Sequence, residues 1–273
     1  MSAIQIGFCW GFRGMTPEEG VPRLKQSGFE GVELWPDFLK AWGANRWASA
    51  LQAAEMECFQ LCPYFDFVSG PARLAQSRQM LDEYLTAARV LGCRRLRVFT
   101  GPPWGEGVVG AHDASAAQWQ SAIDGLQEYC DVAARDGVEL CLECHEGSLM
   151  EDSPSALRLL RGVARSNLTT NLQLPLRDED WSVSLRELGR FTTHVHIHNW
   201  AKEMVDVSRG ELTFLDAGIF DWRPVVRHLV VDLGRAVCLS VEHTDHAGRD
   251  DPWETARRDG PYLQQLRARV TAG

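Results

Sequence analysis

The sequence alternates eight times between a short run of strand-forming residues and a segment with helical spacing. The predicted strands cover residues 4–9, 28–35, 58–64, 94–99, 140–147, 168–174, 193–198 and 237–242. The predicted helices are one that opens at Thr16 and segments 47–54, 71–91, 116–136, 154–164, 182–191, 221–231 and 252–270. No linker or low-complexity stretch interrupts the series, so the pattern favours an α/β fold of the (β/α)₈ TIM barrel type. We expect a single barrel domain over residues 1–273.

One face of each predicted strand is apolar and the other carries polar groups. Successive strand side chains point to opposite faces, so the apolar faces should meet the helices and the polar faces should converge inside the barrel. The polar set comprises Gln5, Cys9, Glu33, Gln60, Arg97, Glu143, His145, Asn171, Gln173, His194, His196, His198, Ser240 and Glu242. A buried charge without a partner costs several kcal/mol, so these groups must satisfy each other, hold an ion, or both.

The residues at the carboxyl ends of the strands are the functional candidates, because barrel active sites lie at that end. There the fifth strand brings Glu143, the sixth Gln173, the seventh His196 or His198, and the eighth Glu242. Two carboxylates, an imidazole and an amide oxygen form an oxygen-rich set that suits Mn²⁺ or Mg²⁺ better than a structural zinc ion. We expect a divalent cation that leaves room for substrate oxygens.

Composition limits the classes of partner. The formal net charge is −9 and the basic residues are scattered, which argues against nucleic acid or an anionic membrane surface and favours a small polar substrate. There is no signal-like start and no apolar stretch long enough for a membrane span, so we expect a cytoplasmic protein. The eight cysteines fall mostly in apolar runs and are expected to be buried free thiols.

Four segments of the chain resemble the xylose isomerase-like barrel superfamily of sugar phosphate isomerases and epimerases. They are GFEGVEL at 28–34, LECH at 142–145, HVHIHN at 194–199, and SVEH at 240–243 followed by DDP at 250–252. The resemblance covers nearly the whole chain and implies one divalent cation held by a glutamate, an aspartate, a histidine and a glutamate on strands five to eight. By position these are Glu143, Gln173, His196 and Glu242.

The sixth strand departs from the family pattern in two places. Gln173 stands where the family has aspartate, which removes a negative charge from the metal site, and Leu176 stands where many members have a histidine that contacts substrate in ketose epimerases. A barrel that has lost its metal and only binds a ligand is therefore one alternative. A DNA-repair enzyme of the endonuclease IV type is disfavoured, because the first three strands contain no histidine.

The resemblance implies a metal-dependent isomerase or epimerase that acts on a keto-sugar or related polyol. Glu143 and Glu242 would lie on either side of the substrate, one removing a proton next to a carbonyl and the other returning it. The same residues would serve a dehydratase of the inosose or dehydroshikimate type, which is the main alternative. The family commonly forms dimers or tetramers, so we also expect a homo-oligomer.

Three further residues are candidates for substrate contact. His145 follows Glu143 by two positions and is expected either to orient a substrate hydroxyl or to support the ligands. His198 is expected either to contact substrate or to replace His196 as a ligand. Trp104, in a Gly/Pro-rich loop after the fourth strand, is expected either to stack on a sugar face or to pack.

Overall fold

The structure is a computed structural model that describes residues 3–102, 105, 107–203, 210–246 and 249–272, with the backbone alone described at 245, 246, 249 and 250. Its strands are β1 (Ile4–Cys9), β2 (Gly31–Leu34), β3 (Glu57–Leu61), β4 (Arg95–Val98), β5 (Glu139–Glu143), β6 (Leu168–Gln173), β7 (Thr192–Ile197), β8 (Asn199–Trp200), β9 (Leu212–Thr213), β10 (Val237–Val241), β11 (Asp245–His246) and β12 (Arg249–Asp250). The four two-residue strands pair as two small antiparallel sheets, β8 with β9 and β11 with β12.

The α-helices are α1 (Pro17–Gln26), α2 (Pro36–Trp42), α3 (Ala44–Ala53), α4 (Pro71–Leu91), α5 (Ala116–Ala133), α6 (Ser153–Val163), α7 (Trp181–Leu188), α8 (Arg223–Arg227) and α9 (Pro252–Thr271). The helix α1 follows the N-cap residue that the sequence predicts, Thr16. Thr16 and Glu19 form a capping box before α1, whereas the Asp152 side chain accepts from the Ser155 amide at 2.8 Å before α6. The helix α2 was not predicted, and none of its residues is buried.

The eight longer strands form a closed parallel barrel in the order β1-β10-β7-β6-β5-β4-β3-β2, with helices between them in sequence. The predicted (β/α)₈ TIM barrel is therefore confirmed. Among the registered neighbours, Cys9 lies opposite Glu33, and Ser240 lies opposite both Gly7 and His196. In the other part of the barrel Glu143 lies opposite Asn171.

The chain divides into two compact units, one of residues 1–59 with 194–273 and the other of residues 60–193. The first contains β1, β2 and β10 with most of β7, and the second contains β4, β5 and β6. The single domain over residues 1–273 stays a prediction.

Strand residues of both faces are buried, as expected for a parallel sheet covered by helices. All eight cysteines are buried free thiols, which agrees with the expectation from sequence. Burial raises the pKa of the Cys141 thiol to about 12, so this group stays protonated at neutral pH. Within the described residues, the helices lack the combination of length and apolarity that a membrane crossing requires.

Candidate active-site residues

Two of the four predicted ligands lie together in the unit of residues 60–193. Glu143 is the last residue of β5 and Gln173 is the last residue of β6, and both side chains are buried. The Gln173 side-chain amide donates to Glu143 Oε1 at 3.3 Å. The two adjacent strands therefore bring a carboxylate and an amide to the same end of the sheet.

The second oxygen of Glu143 is held by Arg97, which lies on β4 and is itself buried. The Arg97 guanidinium donates to Glu143 Oε2 and, through its other terminal nitrogen, to the backbone oxygens of Cys62 at 3.0 Å and Pro63 at 3.3 Å. Its carbon lies 4.2 Å from the centre of the Tyr64 ring. Burial lowers the pKa of Arg97, but the neighbouring Glu143 charge and hydrogen bond, with smaller effects from Cys62 and Tyr64, outweigh burial and raise the pKa above its usual value. The guanidinium therefore stays charged. Sequence reasoning placed Arg97 inside the barrel but missed this contact.

The other two predicted ligands lie together in the unit of residues 1–59 and 194–273. His196 is buried on β7, and Glu242 directly follows β10, its neighbour in the sheet. The Nδ1 atom of His196 lies 3.2 Å from Glu242 Oε2, and Nε2 of His243 lies 3.0 Å from the same oxygen. Burial raises the pKa of Glu242, but the charges of His196 and His243 outweigh burial and hold the pKa well below its usual range. Glu242 is therefore an ionised carboxylate.

A further carboxylate, Glu33 on β2, contacts two histidines of β7. Its Oε1 lies 2.6 Å from His194 Nε2 and its Oε2 lies 3.2 Å from His196 Nε2. Burial raises the pKa of Glu33, but the two imidazole charges hold the pKa well below its usual range. Cys9, Glu33 and His196 each offer one ligand atom, and these three atoms lie within 4.8 Å of one another.

His145 lies outside the strand that the sequence predicted for it. Because β5 ends at Glu143, the alternation that would place His145 on the same face as Glu143 does not extend to it. Its Nδ1 lies 2.6 Å from the Glu146 backbone oxygen, and its ring centre lies 5.5 Å from that of Phe99. The half-buried imidazole is thus fixed by the turn after β5.

His198 also lies just beyond its strand, one residue after the end of β7. Its ring is buried and packs edge-on against Trp200 at 4.7 Å and His243 at 5.5 Å between ring centres. The Trp222 indole donates to the His198 backbone oxygen at 2.8 Å. The structure therefore places His198 beside His243, the neighbour of Glu242. Trp104 lies outside the described residues.

Sequence reasoning missed a buried carboxylate, Glu151, that ties together the loops after three strands. It accepts from Arg177 Nη1 at 2.9 Å, and from the backbone amides of Gly147 and His112 at 3.4 Å each. These partners belong to the loops after β6, β5 and β4, respectively. The one sequence signal was an acid that directly follows the apolar pair Leu149 and Met150.

The spacing of His196 and Glu242 fits a divalent cation. Two ligands at about 2.1 Å from one cation lie about 3 Å apart when the angle between them is near a right angle. The separation of 3.2 Å between His196 Nδ1 and Glu242 Oε2 matches that spacing. Gln173 contacts Glu143 through its amide NH₂ group, so its ligand atom would be the other atom of the amide, the oxygen. Carboxylate, amide and imidazole donors are also the types that Mn²⁺ and Mg²⁺ accept.

These features define a (β/α)₈ barrel protein with carboxylate, amide and imidazole side chains at the carboxyl ends of its strands. The model of the family described as xylose isomerase-like TIM barrel matches residues 21–266, and the chain belongs to this family. An inosose dehydratase from Serratia proteamaculans is 24% identical over 173 residues, and the match covers 55% of this chain and 56% of that protein. The chain thus spans about half the length of this relative.

Solved structures of the same fold cover almost the whole chain. A probable 3-DHS dehydratase from Bacillus anthracis has a TM-score of 0.75 at 18% identity and covers 95% of this chain and 98% of its own. An L-ribulose 3-epimerase has a TM-score of 0.78 at 17% identity, with 100% and 96% covered. A xylose isomerase-like TIM barrel protein from Mycobacterium smegmatis, in complex with magnesium, has a TM-score of 0.74 at 15% identity, with 99% of each chain covered. At these identities the similarity shows the fold.

Proposed function

We propose that this protein is an enzyme that isomerises or epimerises a keto-sugar or related polyol with the help of a divalent cation. One observation carries the proposal. The four candidate ligands Glu143, Gln173, His196 and Glu242 stand at the carboxyl ends of β5, β6, β7 and β10, which are consecutive strands of the closed barrel. That end of a barrel is where enzymes of this fold carry out their chemistry.

A bound Mn²⁺ or Mg²⁺ would polarise a substrate carbonyl and the hydroxyl beside it as a Lewis acid. The residues of the chain then handle the proton. An ionised carboxylate, Glu143 or Glu242, removes the proton from the carbon next to the carbonyl. The other carboxyl group takes a proton from solvent and delivers it to the adjacent position or to the opposite face, and the first group then releases its proton to solvent. Arg97 holds one oxygen of Glu143, so the carboxylate approaches the substrate in a fixed orientation.

A dehydratase acting on a keto-polyol is the second candidate, and the sequence match to an inosose dehydratase favours it. The same proton removal starts both reactions. In the dehydration a hydroxyl group on the next carbon leaves with a proton as water, and the electron pair of the broken C–H bond forms the new double bond. Leu176, buried and apolar where many family members have a histidine, agrees with a substrate other than that of the ketose epimerases.

The test is incubation of the protein with Mn²⁺ and a panel of ketohexoses and inososes in D₂O. Deuterium at one carbon without loss of water, followed by NMR, supports the isomerase or epimerase. An enone absorbance with release of water supports the dehydratase. Absence of both with every substrate, together with no metal uptake, would support the metal-free binding barrel and overturn the proposal.

Variants test whether Glu143 and Glu242 are the proton-transfer groups. Glu143→Gln and Glu242→Gln should each reduce deuterium incorporation by about 10²-fold or more, because each removes a proton-transfer group. The matched control is Glu187→Gln, which changes a partly exposed glutamate on α7 that pairs with its neighbour Arg186. The expected homo-oligomer stays a prediction that light scattering after gel filtration checks.

A further inference from the structure

A buried carboxylate on β2 contacts the ring nitrogens of two histidines on β7. The Glu33 side chain is 0% exposed and uses a different oxygen for each imidazole, Oε1 for His194 at 2.6 Å and Oε2 for His196 at 3.2 Å. A fully buried carboxylate must be compensated, and two imidazoles provide that compensation here.

The two nitrogens of His196 face different partners. Nε2 faces Glu33, and Nδ1 faces Glu242 Oε2 at 3.2 Å. An imidazole that binds a metal through one nitrogen carries its proton on the other and donates it to a carboxylate or carbonyl, which fixes the tautomer and the ring orientation.

We propose that Glu33 is a positioning residue for the metal ligand His196. It accepts the proton of Nε2, so that Nδ1 is the nitrogen that would give up its proton on metal binding and offer its lone pair to the cation beside Glu242. The inference rests on the proposed function, since it takes His196 as a metal ligand, and it adds a residue that does not touch the metal.

The surroundings hold Glu33 in the required place. The Trp10 amide donates to the Glu33 backbone oxygen at 3.0 Å, and β1 and β2 are registered with Cys9 opposite Glu33. His194 occupies Oε1, so rotation of the carboxylate away from His196 would break a short hydrogen bond.

Cys9 is the competing partner for the same nitrogen. Its Sγ lies 3.9 Å from His196 Nε2 and 3.8 Å from Ser240 Oγ, which are long contacts for a weak thiol donor or acceptor. Because the ligand atoms of Cys9, Glu33 and His196 lie within 4.8 Å of one another, a metal held by these three residues is the alternative arrangement. That arrangement would use Nε2 of His196 and the thiolate, whereas the proposed one uses Nδ1 and no sulfur.

The first test is titration of the protein with Mn²⁺. Glu33→Gln keeps the shape of the side chain but not its charge, and it should weaken Mn²⁺ binding about 10–100-fold. Glu33→Asp, which keeps the charge, should fall between Glu33→Gln and wild type. Asp259→Asn, a change of another buried carboxylate in the same unit, should bind like wild type, and His196→Gln should lose binding.

The outcomes separate the two proposals. Wild-type affinity in folded Glu33→Gln, with binding lost in His196→Gln, would overturn the role of Glu33 and leave the proposed function intact. Failure of the wild-type protein to take up Mn²⁺ would overturn both.

Spectroscopy on the wild-type protein tests the tautomer without any variant. In protein labelled with ¹⁵N-histidine and saturated with Mg²⁺, His196 should carry its proton on Nε2. A proton on Nδ1 would overturn the inference. With Co²⁺ as the probe, a thiolate-to-cobalt charge-transfer band that disappears in Cys9→Ser would equally overturn it, because that band would place the metal on the Cys9 side of the ring.

Discussion

Arg97 and Glu143 form an ion pair in which each side chain is only 1% exposed. The other terminal nitrogen of the guanidinium donates to two backbone oxygens, those of Cys62 and Pro63, and the Tyr64 ring lies 4.2 Å from the guanidinium carbon. The pair links the candidate ligand Glu143 on β5 to the neighbouring strand β4. The orientation of Glu143 therefore depends on Arg97, which is not one of the four predicted ligands.

We expect Arg97→Met to lower the free energy of unfolding by about 3–5 kcal/mol, because it leaves the buried Glu143 charge without its partner. Urea unfolding measures the loss. The double variant Arg97→Met with Glu143→Gln should recover part of the loss, since it removes the uncompensated charge as well. A surface change, Arg186→Met, should stay within about 0.5 kcal/mol of wild type.

Gln173→Asp should tighten Mn²⁺ binding by roughly tenfold or more, because it adds a full negative charge at a candidate ligand position. The same change should lower stability without metal, since the new carboxylate replaces an amide that donates to Glu143 at 3.3 Å. Calorimetric titration and urea unfolding, with and without Mn²⁺, measure both effects. Unchanged or weaker affinity would remove Gln173 from the ligand set. Gln79→Asp on the exposed side of α4 is the matched control.

Stability should depend on pH through Asp259 of α9. Burial raises its pKa from 3.8 to about 7, although the hydrogen bond from the Leu215 amide at 2.9 Å acts in the opposite direction. Between about pH 4 and pH 7 the folded protein therefore holds a proton that the unfolded chain has released. The free energy of unfolding should fall as the pH rises through this range, by up to about 1.4 kcal/mol per pH unit.

Asp259→Asn should remove this contribution, because the amide does not titrate and its oxygen can still accept from Leu215. Urea unfolding between pH 4 and pH 8 should show a smaller decline than wild type, and the variant should be the more stable protein at pH 8. Asp216 is an exposed neighbour of Asp259, and Asp216→Asn should leave most of the fall in unfolding free energy with pH. An equal decline in wild type and Asp259→Asn would contradict the assignment.

Glu151→Ala should destabilise the loops after β4, β5 and β6 together. The change removes the acceptor of two backbone amides and of Arg177, and it should cost about 2–5 kcal/mol. Hydrogen exchange of the Gly147 and His112 amides should accelerate in the variant. Glu187→Ala, at a partly exposed position on α7, should leave both amides protected as in wild type.

The barrel could be predicted from sequence because its signals are local. Alternating strand faces, capping residues and helical spacing are each contained within a few residues, and α4 was predicted with the bounds that it has. The helix α2 was not predicted, and since none of its residues is buried, it has no core-facing side of the kind that helical spacing marks. The strand predicted over 140–147 was too long, since Gly147, at φ 73°, and the bond from Ser148 Oγ to the His145 oxygen turn the chain after Glu143.

The side-chain contacts of the site residues could not be predicted from such local signals. Arg97 and Glu143 were both expected to face inward, but their contact depends on the register of two strands and on the length of the arginine side chain. Glu33 reaches His196 over 163 positions of sequence, and Glu151 reaches Arg177 over 26. Such pairs are set by tertiary geometry, which no single segment contains.

Because the thiols are buried, their chemical modification reports how often the folded protein opens. A reagent in solution reaches none of the eight cysteines while the fold is closed. Each transient opening that exposes a thiol can be made permanent by alkylation or oxidation, because the packed interior has no room for the added group. Alkylating or oxidising agents would therefore inactivate the protein irreversibly, at a rate set by how often the interior opens.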